Sequence, residues 1–132
     1  MITIKNSELT NETVQVLNSL IDMDIKASIA FKLLRIIKGI SSLVEDKMKI
    51  EKRILDKWIE KDQDNKPVLV YDENSNLIEG AVRIKDIGKF QEEMQDLSLS
   101  SASIEGDKIN FDDLGLETIK IKEFMKIDFI FI

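Results

Sequence analysis

The sequence contains no cysteine and no histidine among its 132 residues, and only one proline. Without cysteine the chain cannot form disulfides or thiolate metal sites, which fits a reducing compartment. Without histidine it lacks the usual general base near neutral pH and the commonest metal ligand. These two absences predict a protein that is not an enzyme and that needs no cofactor or metal.

Long uncharged apolar runs are missing as well. In the most apolar segment the longest uncharged stretch covers only residues 39–44, whereas a helix needs roughly 20 apolar residues to cross a bilayer. The first residues carry no basic start followed by an apolar run, so they do not match a secretory signal. We therefore expect a cytoplasmic protein that does not associate with membranes.

Charge is unevenly distributed along the chain, whose net charge is −6. Residues 24–59 contain nine Lys/Arg and five Asp/Glu, and residues 60–117 contain six and fifteen. Such asymmetry can steer association with a partner or with a second copy. It does not favour nucleic acid as a partner, because acids interleave the basic stripe of the 24–59 segment and that stripe holds no aromatic residue for base stacking.

The strongest periodic signal covers residues 24–62. Apolar side chains recur there every three or four residues, and charged side chains occupy the opposite face, which predicts one long amphipathic helix of about 50 Å. The shorter helices cannot cover all of its apolar face, so the pattern predicts a homo-oligomer formed through the helical region. The candidate interface residues are Ile50, Ile54, Leu55, Trp58 and Ile59.

The remaining segments predict an α+β fold in a single domain, residues 1–132. Two shorter helices are expected to pack on the long helix, one before it and one over residues 86–97. A small antiparallel sheet is expected from two hairpins. The predicted elements after the long helix are a first hairpin at 67–84, the helix at 86–97, a second hairpin at 99–111 and a C-terminal strand or buried anchor at 118–132. A hydrophobic hook for a partner is the alternative for the apolar terminus.

The segment "KDQDNKPVLVYDENSN", residues 61–76, resembles a metal-binding loop in its density of oxygen-bearing side chains. A calcium loop of the EF-hand type needs glycine at its sixth position. Counting from Asp62 places Pro67 there, and counting from Asp72 places Leu77 there. We therefore interpret the segment as two turns on either side of a strand.

Several motifs together resemble one group of proteins. They are "NSEL" and "LNSL" near the start, "EKDQDNKP", the "DENSN" turn, "KFQEEMQDL" and a short ending in "FI". With the long amphipathic helix, they resemble small proteins encoded by bacteriophages and prophages of low-GC Gram-positive bacteria. The resemblance implies a phage origin and location in the cytoplasm of the host bacterium. The group has no assigned activity, so the resemblance implies no functional residues.

These observations predict a protein-interaction factor, a phage accessory protein that binds and modulates a host or phage protein. Two alternatives stay open. One is an oligomer that binds or sequesters a small, nucleotide-like ligand, and the other is a virion-assembly chaperone. For the small ligand, candidate contacts are those able to bind an anion or stack on a ring: Arg35, Arg53, Tyr71 and Arg83.

Overall fold

A computed structural model describes the whole chain, Met1–Ile132. It contains four α-helices, four β-strands and three short 3₁₀ turns, so the predicted α+β class is confirmed. The helices are α1 (Asn11–Ile21), α2 (Ala27–Trp58), α3 (Ile87–Leu99) and α4 (Ile121–Ile127). The strands are β1 (Ile2–Lys5), β2 (Leu69–Tyr71), β3 (Leu77–Val82) and β4 (Ser101–Ile104).

Helix α2 is one unbroken helix of 32 residues, about 48 Å long at 1.5 Å per residue. The predicted span, 24–62, was too long at both ends. At the C-terminal end the backbone leaves the helix because Ile59 forms a β-bridge with Ile84, and the Glu60 N–H donates to the Arg83 carbonyl at 2.8 Å. Pairing with residues 83 and 84, just after β3, therefore ends the helix before the turn residues are reached.

The chain divides into two compact units. Unit 1 comprises residues 1–48 and 98–132, and unit 2 comprises residues 49–97. The single-domain prediction rests on chain length, which carries no information about such a division.

Unit 1 is built around an antiparallel pair of strands, β1 and β4, in which Ile2 lies opposite Ile104 and Ile4 opposite Ala102. Alternate residues of β1 face inward, so Ile2 and Ile4 are completely buried. The predicted second hairpin at 99–111 is wrong: β4 pairs with β1, about a hundred residues earlier in the chain. The core also contains residues from α1, α2 and the C-terminal segment: Leu17, Leu20, Leu33, Ile36, Ile40, Leu114 and Ile127.

The C-terminal segment of unit 1 is a buried anchor but not a strand. Residues 121–127 form α4, and Ile109 makes a parallel bridge with Phe131. Ile130 and Phe131 are buried in the core, whereas Ile132 is 89% exposed. The alternation of apolar residues predicted a strand. That prediction took no account of the helical spacing of the apolar residues that follow. The apolar ending is thus core, and it leaves only one residue for a hook.

Unit 2 contains the predicted first hairpin, in which β2 and β3 pair antiparallel. The register shifts between the pairs Leu69–Val82 and Tyr71–Leu77, and Gly80, with φ +75°, lies in the part of β3 between them. A glycine inside a strand pattern typically marks a bulge or a close backbone approach. The register shift favours a bulge here, and nothing lies within 4 Å of where a Cβ would be.

A closed ring of three backbone hydrogen bonds fixes the base of this hairpin. The Glu60 N–H donates to the Arg83 carbonyl, the Arg83 N–H to the Val68 carbonyl, and the Val68 N–H to the Glu60 carbonyl, at 2.8–2.9 Å. Three separate segments of unit 2 therefore meet at one point with their polar backbone groups satisfied.

Candidate functional site

Two turns of the same construction flank β2. In each, an aspartate Oδ1 accepts hydrogen bonds from the backbone N–H groups two and four residues further on, at 2.9–3.0 Å. The aspartates are Asp62 and Asp72, and the residue three positions after each has positive φ: Asn65 at 60° and Ser75 at 64°. Both aspartate side chains thus stabilise turns, as the sequence interpretation expects.

The acidic residues of the chain do not assemble into a metal-binding cluster. No group of three or more carboxylates converges in the structure. In residues 61–76, the carboxylates of Asp62 and Asp72 accept hydrogen bonds from the backbone of their own turns. The segment therefore forms the turns on either side of β2.

One face of the hairpin is apolar and open to solvent. Tyr71 lies opposite Leu77, and Leu69 lies opposite Val82, so all four project from the same side of the pleated pair. Tyr71 is 58% exposed, and both leucines are also exposed. We call these four residues the hairpin face. Three of them line a groove of about 570 Å³ with Asp62, Lys66, Pro67 and Val68.

Trp58 stands at the end of α2 and is linked to α3. Its Nε1–H donates to Glu93 Oε2 at 3.0 Å, and Lys57 forms an ion pair with the same carboxylate. The ammonium groups of Lys57 and Lys89 lie 5.0 and 5.9 Å from the indole ring centroid, within cation–π range. We call these four residues the Trp58 corner. They link α2 to α3 within unit 2.

The pKa of Glu93 is lowered in the Trp58 corner. The main cause is the hydrogen bond from Lys57, and the second is the hydrogen bond from Trp58. Both donors favour the ionised carboxylate over the neutral acid. The Trp58 corner therefore depends on Glu93 being charged.

The five predicted interface residues differ in how far they are exposed to solvent. Ile54 and Ile59 are only 9% and 6% exposed, so their surface is already used inside the chain and they are not available to a partner. Ile50 remains exposed, at 43%. Leu55 and Trp58 are half-buried. For these last three residues a role in self-association stays a prediction.

The four predicted ligand contacts do not form one site. Arg35 belongs to unit 1, and Arg53, Tyr71 and Arg83 belong to unit 2. Arg53 and Arg83 are exposed, and Tyr71 lines the hairpin groove. Arg35 lines a different cavity, so that it is the one arginine of the set placed in a concave site.

That cavity lies in unit 1, between the first turns of α2 and the loop after β4. It measures about 420 Å³ and is lined by Ser28, Phe31, Lys32, Arg35, Gly106 and Asp107. We call it the helix–loop cavity. Sequence reasoning missed Phe31, although a signal was present: Phe31 is one of only two aromatic residues in α2, with Trp58.

A comparison with protein-family models, with curated proteins and with solved structures finds no match to this chain. None of the helices, α2 included, combines the length and the apolar character that a membrane span requires.

Proposed function

We propose that the chain is a non-enzymatic protein-interaction factor, a phage accessory protein that binds a host or phage protein through the hairpin face. The observation that carries this proposal is the exposure of Leu69, Tyr71 and Leu77 on one side of a two-stranded sheet. Contiguous exposed apolar side chains with a polar rim are typical of protein-binding surfaces. The phage origin rests on the sequence resemblance.

The rim of the hairpin face favours a partner with basic residues. Between positions 62 and 79 the chain has five acidic side chains and one lysine. The acidic side chains are Asp62, Asp64, Asp72, Glu73 and Glu79, and all of them are exposed. An excess of negative charge around an apolar centre accelerates encounter with an oppositely charged partner and disfavours association with other acidic surfaces.

Self-association through α2 is a second part of the proposal. Ile50 is exposed on this helix, where it would add apolar area to a helix–helix contact. Light scattering over a range of concentrations tests this part alone. A mass that stays at the monomer value throughout would remove the oligomer from the proposal.

Site-specific photo-crosslinking tests the hairpin face. A photoreactive amino acid is placed at Tyr71, and at Ile121 of unit 1 as a control, because Ile121 is also strongly exposed. In a lysate of the host, we expect a discrete crosslinked protein at position 71 that is absent at position 121. The crosslinked protein should be lost when Leu69 and Leu77 are both changed to aspartate.

The matched control variant is Ile121→Asp, which adds a charge to an exposed apolar position of unit 1. It should leave the crosslink at position 71 intact. Equal crosslinking at both positions, or a crosslink that survives the double aspartate variant, would contradict binding through the hairpin face.

A further inference from the structure

The helix–loop cavity has one aromatic wall on the helix side. Ser28, Phe31, Lys32 and Arg35 lie at helical spacings of three, four and seven residues, so they share one face of α2. Phe31 is 63% exposed. A phenyl ring that faces a cavity with this much open surface can stack against a planar ligand ring.

Two cations border the same cavity without internal partners. Neither Lys32 nor Arg35 forms an ion pair with a carboxylate of this chain. Both ammonium and guanidinium groups bind phosphate oxygens, the guanidinium in a bidentate manner. The helix wall of the cavity therefore offers an anion site beside the ring of Phe31.

The opposite wall is the loop at Gly106 and Asp107. Gly106 has φ +136°, a conformation that other residues rarely adopt, so glycine fixes the path of this loop beside α2. Asp107 is exposed and brings a carboxylate to the cavity. A carboxylate opposite two cations disfavours a ligand that is anionic throughout. It favours one that also carries hydroxyl or N–H donors, as a ribose does.

We propose that the helix–loop cavity binds a ribonucleoside monophosphate. The phosphate contacts Lys32 and Arg35, the base stacks on Phe31, and the ribose hydroxyls donate to Asp107. A volume of about 420 Å³ is within the usual range for small-ligand sites, roughly 300–1,000 Å³. This site belongs to unit 1 and does not depend on the hairpin face or on the function proposed for it.

Calorimetric titration of the full chain tests the site with three probes: adenosine monophosphate, adenosine and inorganic phosphate. We expect the monophosphate to bind at least about tenfold more tightly than either fragment, because each fragment loses contacts that the other supplies. Amide NMR should place the perturbed resonances at residues 28–35 and 106–107. Binding of phosphate as tight as that of the monophosphate would overturn the nucleoside assignment.

Substitutions assign the contacts. Arg35→Ala should weaken binding of the monophosphate by roughly tenfold, since it removes a charge-assisted contact, and Phe31→Ala should weaken it by a similar factor. Arg53→Ala is the matched control, because Arg53 is an exposed arginine on the same helix but in unit 2. Equal losses in Arg35→Ala and Arg53→Ala would show non-specific attraction to positive charge and overturn the site.

Asp107→Ala removes the side-chain acceptor and so separates ribose from deoxyribose. The wild-type chain should prefer adenosine monophosphate to its 2′-deoxy form, and the variant should lose most of this preference. All four substituted side chains are exposed, so their amide NMR spectra should retain the wild-type dispersion. Absence of monophosphate binding by the wild-type chain would reject the proposal outright.

Discussion

Unit 1 and unit 2 bury very different numbers of apolar side chains. The core cluster lies entirely in unit 1, where many isoleucine and leucine side chains have no accessible surface. In unit 2, Ile54 and Ile59 are the buried apolar residues, and most other large apolar side chains are exposed or half-buried. Each fully buried aliphatic side chain contributes about 1.5–3 kcal/mol, so the two units differ in what stabilises them.

Unit 2 compensates for its small core with polar structure. The paired aspartate turns, the ring of three backbone hydrogen bonds and the Trp58 corner all lie within residues 49–97. Hydrogen bonds add about 1 kcal/mol each to stability, less than a buried side chain. Burial thus indicates that unit 1 supplies most of the stability, whereas unit 2 leaves more of its apolar side chains exposed.

The largest expected effect comes from truncating the core of unit 1. Leu33→Ala should lower the free energy of unfolding by about 2–5 kcal/mol, because Leu33 is fully buried and the variant leaves a cavity. Urea denaturation followed by far-UV circular dichroism measures the loss. The neighbouring residue Leu34 is exposed, so Leu34→Ala is the control and should cost under about 1 kcal/mol.

A parallel variant shows whether the two units unfold separately. Ile54→Ala should lower the midpoint reported by fluorescence of Trp58, the single tryptophan, which lies in unit 2. If each of Leu33→Ala and Ile54→Ala shifts the fluorescence and circular dichroism midpoints by the same amount, the two units unfold as one. The two units would then not differ in stability.

A pair of glycine substitutions should have smaller effects of opposite sign. A Cβ at Gly39, in α2, would lie 3.0 Å from Cγ2 of the buried Ile104. Ile104 is stiff at χ1 and packed, so Gly39→Ala should destabilise unit 1 by about 1 kcal/mol despite the better helix propensity of alanine.

Gly88, in α3, is the matched position in unit 2. A Cβ there would meet only the Asp86 carboxylate, at an ordinary 3.5 Å. Gly88→Ala should therefore stabilise by about 0.5–1 kcal/mol. Urea denaturation measures both variants. Stabilisation by Gly39→Ala would show that β4 can move away from α2, and that unit 1 is less tightly packed than its burial implies.

The smallest expected effect is on acid stability. Because the folded-state pKa of Glu93 is lowered, its charged form stabilises unit 2 above the ordinary carboxyl range, and this contribution is lost as the pH falls below about 4. Acidification should lower the fluorescence midpoint of the wild-type chain more than that of Glu93→Gln. The effect is small since ion pairs at exposed positions are weak.

Glu12 supplies the control in unit 1. Its pKa is lowered too, mainly by the hydrogen bond from Lys126 Nζ, at 2.6 Å. Glu12→Gln should leave the acid response of Trp58 fluorescence unchanged. An equal response in Glu12→Gln and Glu93→Gln would mean that Trp58 does not report on unit 2 alone.

The elements with a local signal could be predicted from the sequence. The period of three to four residues gave α2 to within four residues at each end. The turn-forming Asp72–Asn76 segment between two apolar runs gave the first hairpin. Gly80 also carried a local signal, because a glycine inside a strand pattern marks a bulge or a close backbone approach, and the strand register shifts beside it.

The pairings between distant segments could not be predicted. The choice of β1 as the partner of β4 depends on how the two apolar edges meet around α2, and nothing near residue 101 encodes it. The same reason explains why Ile54 and Ile59 were predicted as interface residues, since periodicity identifies an apolar face but not what covers it. In the helix–loop cavity, Arg35 was predicted as a ligand contact, but its neighbour across the cavity, Asp107, is 72 positions away.

The discontinuity of unit 1 has a consequence for synthesis on the ribosome. β1 leaves the ribosome early but cannot pair until β4 has been made, and the core is not closed until Ile130 and Phe131 arrive. At about 5–20 residues per second, β1 waits several seconds without its partner strand. Residues 49–97 are contiguous and contain all the segments of unit 2. The unit with the smaller core is therefore the first whose parts are all present, and the unit that carries most of the stability is completed last.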